Sequence, residues 1–211
     1  MCIIIYFIGT IAGLYEKVIL RMVAFSSIAN FGFIVLGLCL ASVDGFIVVI
    51  FYFIVYSLGL ILLFFILSVA KHEGSWREIK YINELYTLVN YNPVVGLLAL
   101  VSLLSLAGVP PFPGFFAKAL LLRSLFIEGH FILFFLVLSI SIVSVVYYIR
   151  VIRMIFFGEG RLYAGSLVIS AKNLQFYFIG FIGCLNIWFI WKQVFIYEFL
   201  VWYVSISGFV I

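Results

Sequence analysis

The most informative segment of this 211-residue chain reads Ser105-Leu-Ala-Gly-Val-Pro-Pro-Phe-Pro-Gly-Phe-Phe-Ala-Lys118. It lies inside an apolar run, Pro93–Phe126, that is longer than the roughly 20 residues needed by one membrane helix. Proline lacks a helix amide donor and clashes with the carbonyl one turn before it, so a run of prolines breaks a helix. The segment contains three of the chain's four prolines and two flanking glycines: Gly108, Pro110, Pro111, Pro113 and Gly114.

The proline run predicts two half-helices, Pro93–Gly108 and Phe115–Phe126, joined by an extended stretch that breaks the span at 109–114. Backbone carbonyls freed at membrane depth are tolerated only where they are buried in protein or line a wet cavity. Broken helices of transporters place such carbonyls at ion sites. We therefore expect the stretch from Val109 to Pro113 to supply carbonyls and access for water.

Lys118 lies close to this break, four residues after Gly114. An ionisable side chain inside a membrane span is costly and rare, and it is a functional candidate by default. A lysine in such a place can load and release a proton. The alternative is that Lys118 extends its charged end to a membrane interface and has no chemical role.

The composition of the whole chain predicts an integral membrane protein. Hydrophobic residues make up 67% of it and charged residues 9%, whereas soluble domains are about 45–50% apolar and about 25% charged. A soluble chain with so few charges could not cover its surface, but a lipid bilayer is itself apolar. Lipid, and not nucleic acid, is therefore the expected neighbour of its surface.

The hydropathy pattern predicts an all-α membrane domain of about six transmembrane helices, one of them discontinuous, over 1–211. The alternating pattern of barrel strands is absent, which leaves helices as the spanning elements. A polar stretch at 71–92 separates the third span from the fourth, and residues 195–211 could extend the last helix, lie flat or cross again. The predicted spans are 2–15, 23–42, 46–70, 93–126, 131–157 and 174–199.

Basic residues predict the orientation of these spans. When the connections are assigned to the two sides by alternation, nine of the twelve lysines and arginines fall on one side. The positive-inside rule places that side in the cytoplasm or matrix and both termini on the opposite side. The nine residues are Lys17, Arg21, Lys71, Arg77, Lys80, Arg150, Arg153, Arg161 and Lys172.

We expect no metal ion and no redox cofactor in this chain. Its three cysteines, Cys2, Cys39 and Cys184, lack metal or redox spacing, and His72 and His130 pair with none of them. Accessory residues are easier to suggest. Four serines could face wet cavities or only pack helices closely, and two arginines could assist a channel or only anchor helices at the interface. These candidates are Ser102, Ser105, Ser141, Ser144, Arg21 and Arg150.

Three segments resemble the antiporter-like subunits of respiratory complex I. Arg21–Gly32 is similar to their R-x-x-A-Y-S-S-I-x-x-x-G segment, and Ser105–Lys118 is similar to their broken helix, L-A-G-x-P-P-x-x-G-F-x-x-K. Ser139–Phe157 contains Tyr-Tyr-Ile-Arg-Val-Ile-Arg and resembles the Y-Y-x-R-V-x-K helix of the subunit 2 branch. The loop before Pro93 also resembles that branch, and alanine at position 119 favours it over the branch that has aspartate there.

The resemblance implies a fold of about fourteen helices in two inverted repeats, of which this chain matches the last six. Lys118 would carry protons toward the outer side, within the membrane arm of a mitochondrial NADH:ubiquinone oxidoreductase. The family's paired glutamate and lysine lie outside the matched helices, so we expect a separate chain, encoded by a split gene, to supply the missing N-terminal helices. NAD, FMN, iron–sulfur clusters and ubiquinone would belong to other subunits of the complex.

The resemblance also leaves two alternatives open. One is a degenerate structural scaffold that belongs to the same complex and has lost transport. The other is a subunit of a multisubunit cation/proton antiporter, whose chains share these motifs. The 25 phenylalanines and 13 tyrosines suit an AT-rich mitochondrial genome and favour the mitochondrial inner membrane, with both termini in the intermembrane space.

Overall fold

The structure, a computed structural model, is a bundle of α-helices with one short two-stranded ribbon. It describes residues 2–40, 42–72, 79–158, 167–169 and 173–206. The polar stretch at 71–92 also contains a short 3-10 helix, Ile82–Thr87. The named elements are α1 (Cys2–Tyr15), α2 (Ile19–Cys39), α3 (Val43–Val69), β1 (Ala70–His72), α4 (Leu88–Tyr91), α5 (Pro93–Ala107), α6 (Pro113–Ile127), α7 (Phe131–Phe157), β2 (Leu167–Ile169) and α8 (Asn173–Ile206).

The helices correspond closely to the apolar runs, with differences at their ends. Helices α1 and α7 have the bounds expected from hydropathy, whereas α2 and α3 begin a few residues earlier, at Ile19 and Val43. The early start of α2 includes the exposed Arg21, since a charged side chain is tolerated at a helix end. Part of the expected inner connection, 73–78 with Arg77, lies outside the described residues, as do Arg161 and Lys172.

Helix α8 answers one question that the hydropathy left open. Residues 195–206 neither lie flat nor cross separately, because they continue α8 to Ile206. Its 34 residues make a helix about 50 Å long. That exceeds the hydrocarbon core of about 30 Å, so α8 either tilts or extends beyond it.

Burial separates the inner helices of the bundle from those at its surface. Helices α2, α3, α7 and α8 are long and apolar enough to cross a membrane. In the most apolar stretch of α2 and of α3, 56% of the residues are buried, against 28% in α7 and 22% in α8. Helix α3 packs against α2, α5, α6 and α8. It is therefore the central helix, and the exposed apolar faces of α7 and α8 suit lipid or other membrane helices.

The break in the fourth span is shorter than the sequence predicts. Helix α5 ends at Ala107, and α6 begins at Pro113, so Pro113 and Gly114 lie in the first turn of a helix and not in the connection. A proline fits the first helical position, because its missing amide would have no partner there in any case. The connection is a turn and not an extended stretch: the Val109 amide donates to the Leu104 carbonyl, and the Phe112 amide donates to the Val109 carbonyl.

Several connections meet at the end of the bundle where the basic residues lie. The 3-10 segment docks on the α1–α2 turn, where the Ile19 amide donates to the Lys80 carbonyl and the Ile82 amide donates to the Lys17 carbonyl, both at 3.0 Å. Strand β1 directly follows α3 and pairs antiparallel with β2, which lies in the connection between α7 and α8. In the described part of the chain, backbone hydrogen bonds therefore hold the connections of the predicted inner side to one another.

Glu84 holds this surface through its buried carboxylate. Its Oε2 accepts hydrogen bonds from the backbone amides of Lys80, at 2.9 Å, and Tyr81, at 3.3 Å. Glu84→Ala should leave both amides without this acceptor and cost about 1–3 kcal/mol, whereas Glu84→Gln keeps an acceptor oxygen. Hydrogen exchange of a peptide spanning 79–85 should accelerate strongly in the alanine variant and little in the glutamine variant. Equal exchange in the two variants would contradict this account.

Candidate functional site

The Lys118 side chain bends back to the break in the helix. It lies in the second turn of α6, is only 6% exposed, and donates a hydrogen bond from Nζ to the Ala107 carbonyl at 2.9 Å. Ala107 is the last residue of α5, so its carbonyl accepts no hydrogen bond from an amide within that helix. The C-terminal end of a helix also carries partial negative charge, which favours a cation. The break therefore provides the group that holds the lysine.

Two glycines allow the half-helices to approach each other this closely. Gly108 adopts a left-handed conformation with φ of 75°, and a Cβ placed there would lie 2.9 Å from Lys118 Cδ. A Cβ at Gly114 would overlap the Ser105 carbonyl oxygen. Of the other residues at the break, Pro113 is buried and Val109 is half-buried, whereas Pro110 and Pro111 are exposed.

A cleft of about 610 Å³ lies beside Lys118, between α6 and α7. Most of its walls are apolar, and its polar side chains are Lys118, Arg123 and Ser141. The cleft reaches the break itself at Ala107 and Gly108. Lys118 thus lies both at the break in the helix and in the wall of this cleft.

The structure brings one of the four candidate serines to this cleft. Ser141 lines it, and the Ser144 hydroxyl donates to the Ser141 carbonyl at 2.6 Å, one turn along α7. The Ser102 hydroxyl donates its hydrogen bond to the Ala99 carbonyl within α5. The Ser105 hydroxyl is buried and has no hydrogen-bond partner in the part of the chain that the structure describes.

The two candidate arginines lie away from the cleft. Arg150 donates from Nη1 to the Leu14 carbonyl at 2.9 Å and so ties α7 to the last turn of α1. This bond suits the helix-anchoring alternative, because it satisfies a carbonyl at the end of a helix. Arg21 is exposed in the first turn of α2. Neither side chain lines the cleft beside Lys118.

A second cleft, of about 560 Å³, lies next to the first and was not anticipated from the sequence. Its walls include Asp44 at the start of α3 and Tyr197 and Glu198 of α8. Arg123 lines both clefts. The spacing Lys-x-x-x-x-Arg on α6 was the sequence signal that could have pointed to this cleft. The carboxylates of Asp44 and Glu198 come from other helices, far away in the sequence.

A group of buried hydroxyls was also missed. The Tyr52 hydroxyl donates to Asn30 Oδ1 at 2.7 Å, and Asn30 Nδ2 donates to the Ser26 carbonyl at 2.9 Å. An amide in the middle of an apolar helix, opposite tyrosines one turn apart, was the signal that could have revealed them. Within the described residues, no group of three or more histidine, cysteine, aspartate or glutamate side chains is placed to hold a metal ion.

Comparison with known proteins gives consistent matches. Residues 1–144 match the family described as NADH:quinone oxidoreductase/Mrp antiporter, TM. The chain is 37% identical over 156 residues to NADH-ubiquinone oxidoreductase chain 2 of Rhizopus oryzae, covering 71% of this chain and 30% of that protein. It is 33% identical over 150 residues to NADH-quinone oxidoreductase subunit N of Nitrosomonas europaea, covering 71% and 31%.

Solved structures agree with these matches. A chain of respiratory complex I from Thermus thermophilus with bound aureothin superposes with a TM-score of 0.78 at 25% identity, covering 93% of this chain and 43% of that one. A chain of the Mrp complex from Dietzia shares the fold, with a TM-score of 0.77 at 18% identity, covering 94% and 44%. The chain therefore spans about 30% of these curated relatives and less than half of these solved chains.

The close contact between Gly108 and Lys118 can be tested against a matched glycine. Gly108 and Gly129 both have positive φ, 75° and 78°, but a Cβ at Gly129 would meet nothing within 4 Å. Alanine costs about 1–2 kcal/mol at either position for the left-handed backbone. Gly108→Ala must in addition displace the Lys118 side chain, so it should lower the Tm of the purified protein clearly more than Gly129→Ala does. Equal shifts would show that Lys118 does not pack on Gly108.

Proposed function

Because this chain belongs to the membrane-subunit family shared by NADH:quinone oxidoreductases and Mrp antiporters, we propose that it forms the C-terminal part of subunit 2 of a respiratory complex I and translocates protons there. The observation that carries this proposal is Lys118, buried in a membrane helix and bound to the carbonyl that the broken helix leaves free. NADH oxidation, with NAD, FMN, iron–sulfur clusters and ubiquinone, would take place in other subunits.

The environment of Lys118 suits reversible protonation. Burial in an apolar site disfavours the ammonium form, whereas the Ala107 carbonyl and the negative end of α5 favour it. Because these effects oppose each other, a modest change near the site can shift the balance between the two forms. A proton that reaches the neutral amine from one side forms the ammonium, and its transfer to an acceptor on the other side restores the amine.

The nature of the relatives favours a complex I subunit over an antiporter subunit. The two curated relatives described above are both NADH–quinone oxidoreductase subunits, whereas the likeness to the Mrp chain shows the fold alone. The same proposal places the chain among other membrane-arm subunits. The abundance of phenylalanine and tyrosine suits the mitochondrial inner membrane, and the asymmetry of the basic residues suits both ends of the chain in the intermembrane space.

We further propose that helices from a separate membrane chain cover the cleft beside Lys118. The position of Lys118 supports this proposal, because a cleft wall that carries an ionisable group is an unfavourable surface for lipid acyl chains. In inverted-repeat transporters the ion site lies at the interface of the two repeats. A second chain with a broken helix would complete such an interface and would provide the carboxylate that this cleft lacks among its described lining residues.

Substitution of Lys118 separates proton translocation from a purely structural function. Lys118→Met removes the ionisable group and keeps most of the side-chain volume, so the complex should still assemble and oxidise NADH. We expect the number of protons translocated per NADH to fall, because the carrier in this subunit is gone. The matched control is Lys192→Met, which removes an exposed lysine of α8. The ratio would be measured by acidification of vesicles that contain the intact complex. A native ratio in Lys118→Met would favour the structural scaffold.

A further inference from the structure

The second of the two clefts, here named the charged cleft, is open at the end of the bundle opposite the predicted inner side. Its volume is about 560 Å³, and its walls are the start of α3, the last turns of α6 and the last turns of α8. Three charged side chains line it: Asp44, Arg123 and Glu198. The proposed function of Lys118 does not require these three groups, so they need a separate explanation.

The charged cleft lies at the boundary of the hydrocarbon core. Helix α2 has 21 residues and is therefore about 30 Å long, which matches the thickness of that core. Gly37, near the end of α2, lies against Val49 and Leu121. Arg123 follows Leu121 by two residues toward the end of α6. Asp44 precedes Val49 by five residues, in the first turn of α3. Both charged side chains therefore lie at the level of the phospholipid headgroups.

Glu198 lies slightly deeper than this boundary. The ring of its neighbour Tyr197 meets the rings of Phe51 and Phe116 edge to face, at 6.1 and 6.3 Å. Phe51 is two residues further into the membrane than Val49. The Glu198 side chain is exposed on α8. An ionised carboxylate at this depth is unfavourable unless a cation accompanies it.

The charges of the cleft do not balance one another. Two carboxylates line it, but Arg123 is the one basic side chain among its described lining residues. If Arg123 paired with either carboxylate, the other would have no cation in the cleft. Asp44, Arg123 and Glu198 are all exposed on the surface of the bundle, so a molecule in the surrounding membrane can reach them. The cleft thus suits a ligand that brings a cation for the carboxylates and an anion for the guanidinium.

Among membrane lipids, phosphatidylethanolamine has a headgroup of this kind. Its phosphate can accept paired hydrogen bonds from the guanidinium of Arg123. Its primary ammonium, like that of lysine, has three N–H donors that can bind Asp44 and Glu198. An anionic phospholipid would add negative charge without a cation, and the quaternary ammonium of phosphatidylcholine has no N–H to donate.

The size and the other walls of the charged cleft also suit a lipid headgroup. Pockets that hold small molecules have volumes of about 300–1,000 Å³, and this cleft has about 560 Å³. Val48 and Leu120 provide apolar wall on its deeper side, and Trp202 lines it near the end of α8. Tryptophan is enriched at the level of the headgroups, where its ring contacts both apolar and polar groups.

We propose that the charged cleft binds the headgroup of one phosphatidylethanolamine molecule, with its phosphate on Arg123 and its ammonium between Asp44 and Glu198. The acyl chains would extend from the cleft into the surrounding bilayer. The bound lipid would join α3, α6 and α8 at this end of the bundle. This proposal does not depend on whether Lys118 carries protons.

The first test compares lipid probes that differ in the headgroup alone. The native, membrane-extracted protein, with the subunits that accompany it, would be placed in phosphatidylcholine nanodiscs. These would contain a trace of phosphatidylethanolamine, phosphatidylcholine or phosphatidylglycerol with the same photoactivatable acyl chain. Mass spectrometry should find about threefold more adducts of the ethanolamine probe than of either other probe on peptides from 113–127 and 193–206. One exposed ion pair supports a preference of this size.

Two outcomes of this comparison would overturn the proposal. Equal labelling by the three probes would show that the cleft does not recognise the ammonium, and a preference for phosphatidylglycerol would show that it recognises anionic lipid. An excess of free phosphoethanolamine should leave the labelling in place, because it lacks acyl chains. Complete displacement by it would show that the ligand is a soluble molecule and not a lipid.

Substitutions separate the two halves of the headgroup. Arg123→Met should lower labelling by both the ethanolamine and the choline probe, because both lose the phosphate contact. The double variant Asp44→Asn, Glu198→Gln should label equally with these two probes, because the ammonium contacts are gone. The control is Glu128→Gln, which removes a carboxylate that follows α6 and is not among the cleft's described lining residues. A preference for ethanolamine that persists in the double variant would contradict the proposal.

A direct view of the cleft does not depend on any variant. Electron cryo-microscopy of the native protein should show a headgroup between Arg123 and the two carboxylates, continuous with acyl-chain density along the bundle. Arg123 bound directly to Asp44 or Glu198 with no lipid between them would overturn the proposal. A side chain of another subunit in the cleft would overturn it as well. Either result would leave the proposed function of Lys118 unaffected.

Discussion

The hydrogen bond from Lys118 Nζ to the Ala107 carbonyl joins the two halves of the broken helix, and the surrounding structure is arranged to allow it. Prolines between the half-helices prevent one continuous helix, and the left-handed Gly108 ends the first half so that its last carbonyl points to the break. Gly114 lets the first turn of α6 lie against α5. The charged side chain and the unpaired carbonyl are each unfavourable in a bilayer, and together they compensate each other.

This arrangement also explains how a costly lysine can be useful. A fully solvated lysine would stay protonated, and one buried among apolar groups alone would stay neutral. Both influences act on Lys118, because its Nζ donates to a carbonyl at a helix end while apolar helices surround it. Its cleft opens toward Ser141 on α7, and Arg123 separates it from a second cleft that Asp44 lines. The site therefore has polar neighbours on two sides within an otherwise apolar bundle.

Features that depend on neighbouring residues could be predicted from the sequence, and features that depend on distant contacts could not. Hydropathy predicts the helices, and the prolines predict the break, because both effects act within a few turns of the chain. The sequence predicts Pro113 and Gly114 in the connection, because in a single sequence a proline that starts a helix cannot be distinguished from one that ends it. The buried tyrosines Tyr6, Tyr52, Tyr56, Tyr147 and Tyr148 come from helices that are far apart in the sequence, and only the packing of the helices brings them together. Asp44, Glu198 and Arg123 line one cleft for the same reason.

The position of Lys118 in the native, membrane-extracted complex tests the central claim most directly. Electron cryo-microscopy at a resolution that shows lysine side chains should place Nζ within hydrogen-bond distance of the Ala107 carbonyl, with helices of another part of the complex covering the cleft. A Lys118 side chain that extends to the head-group region, beside a cleft filled by lipid acyl chains, would contradict the account. Lys118 would then be an interfacial anchor, and it would not be placed to carry protons at the broken helix.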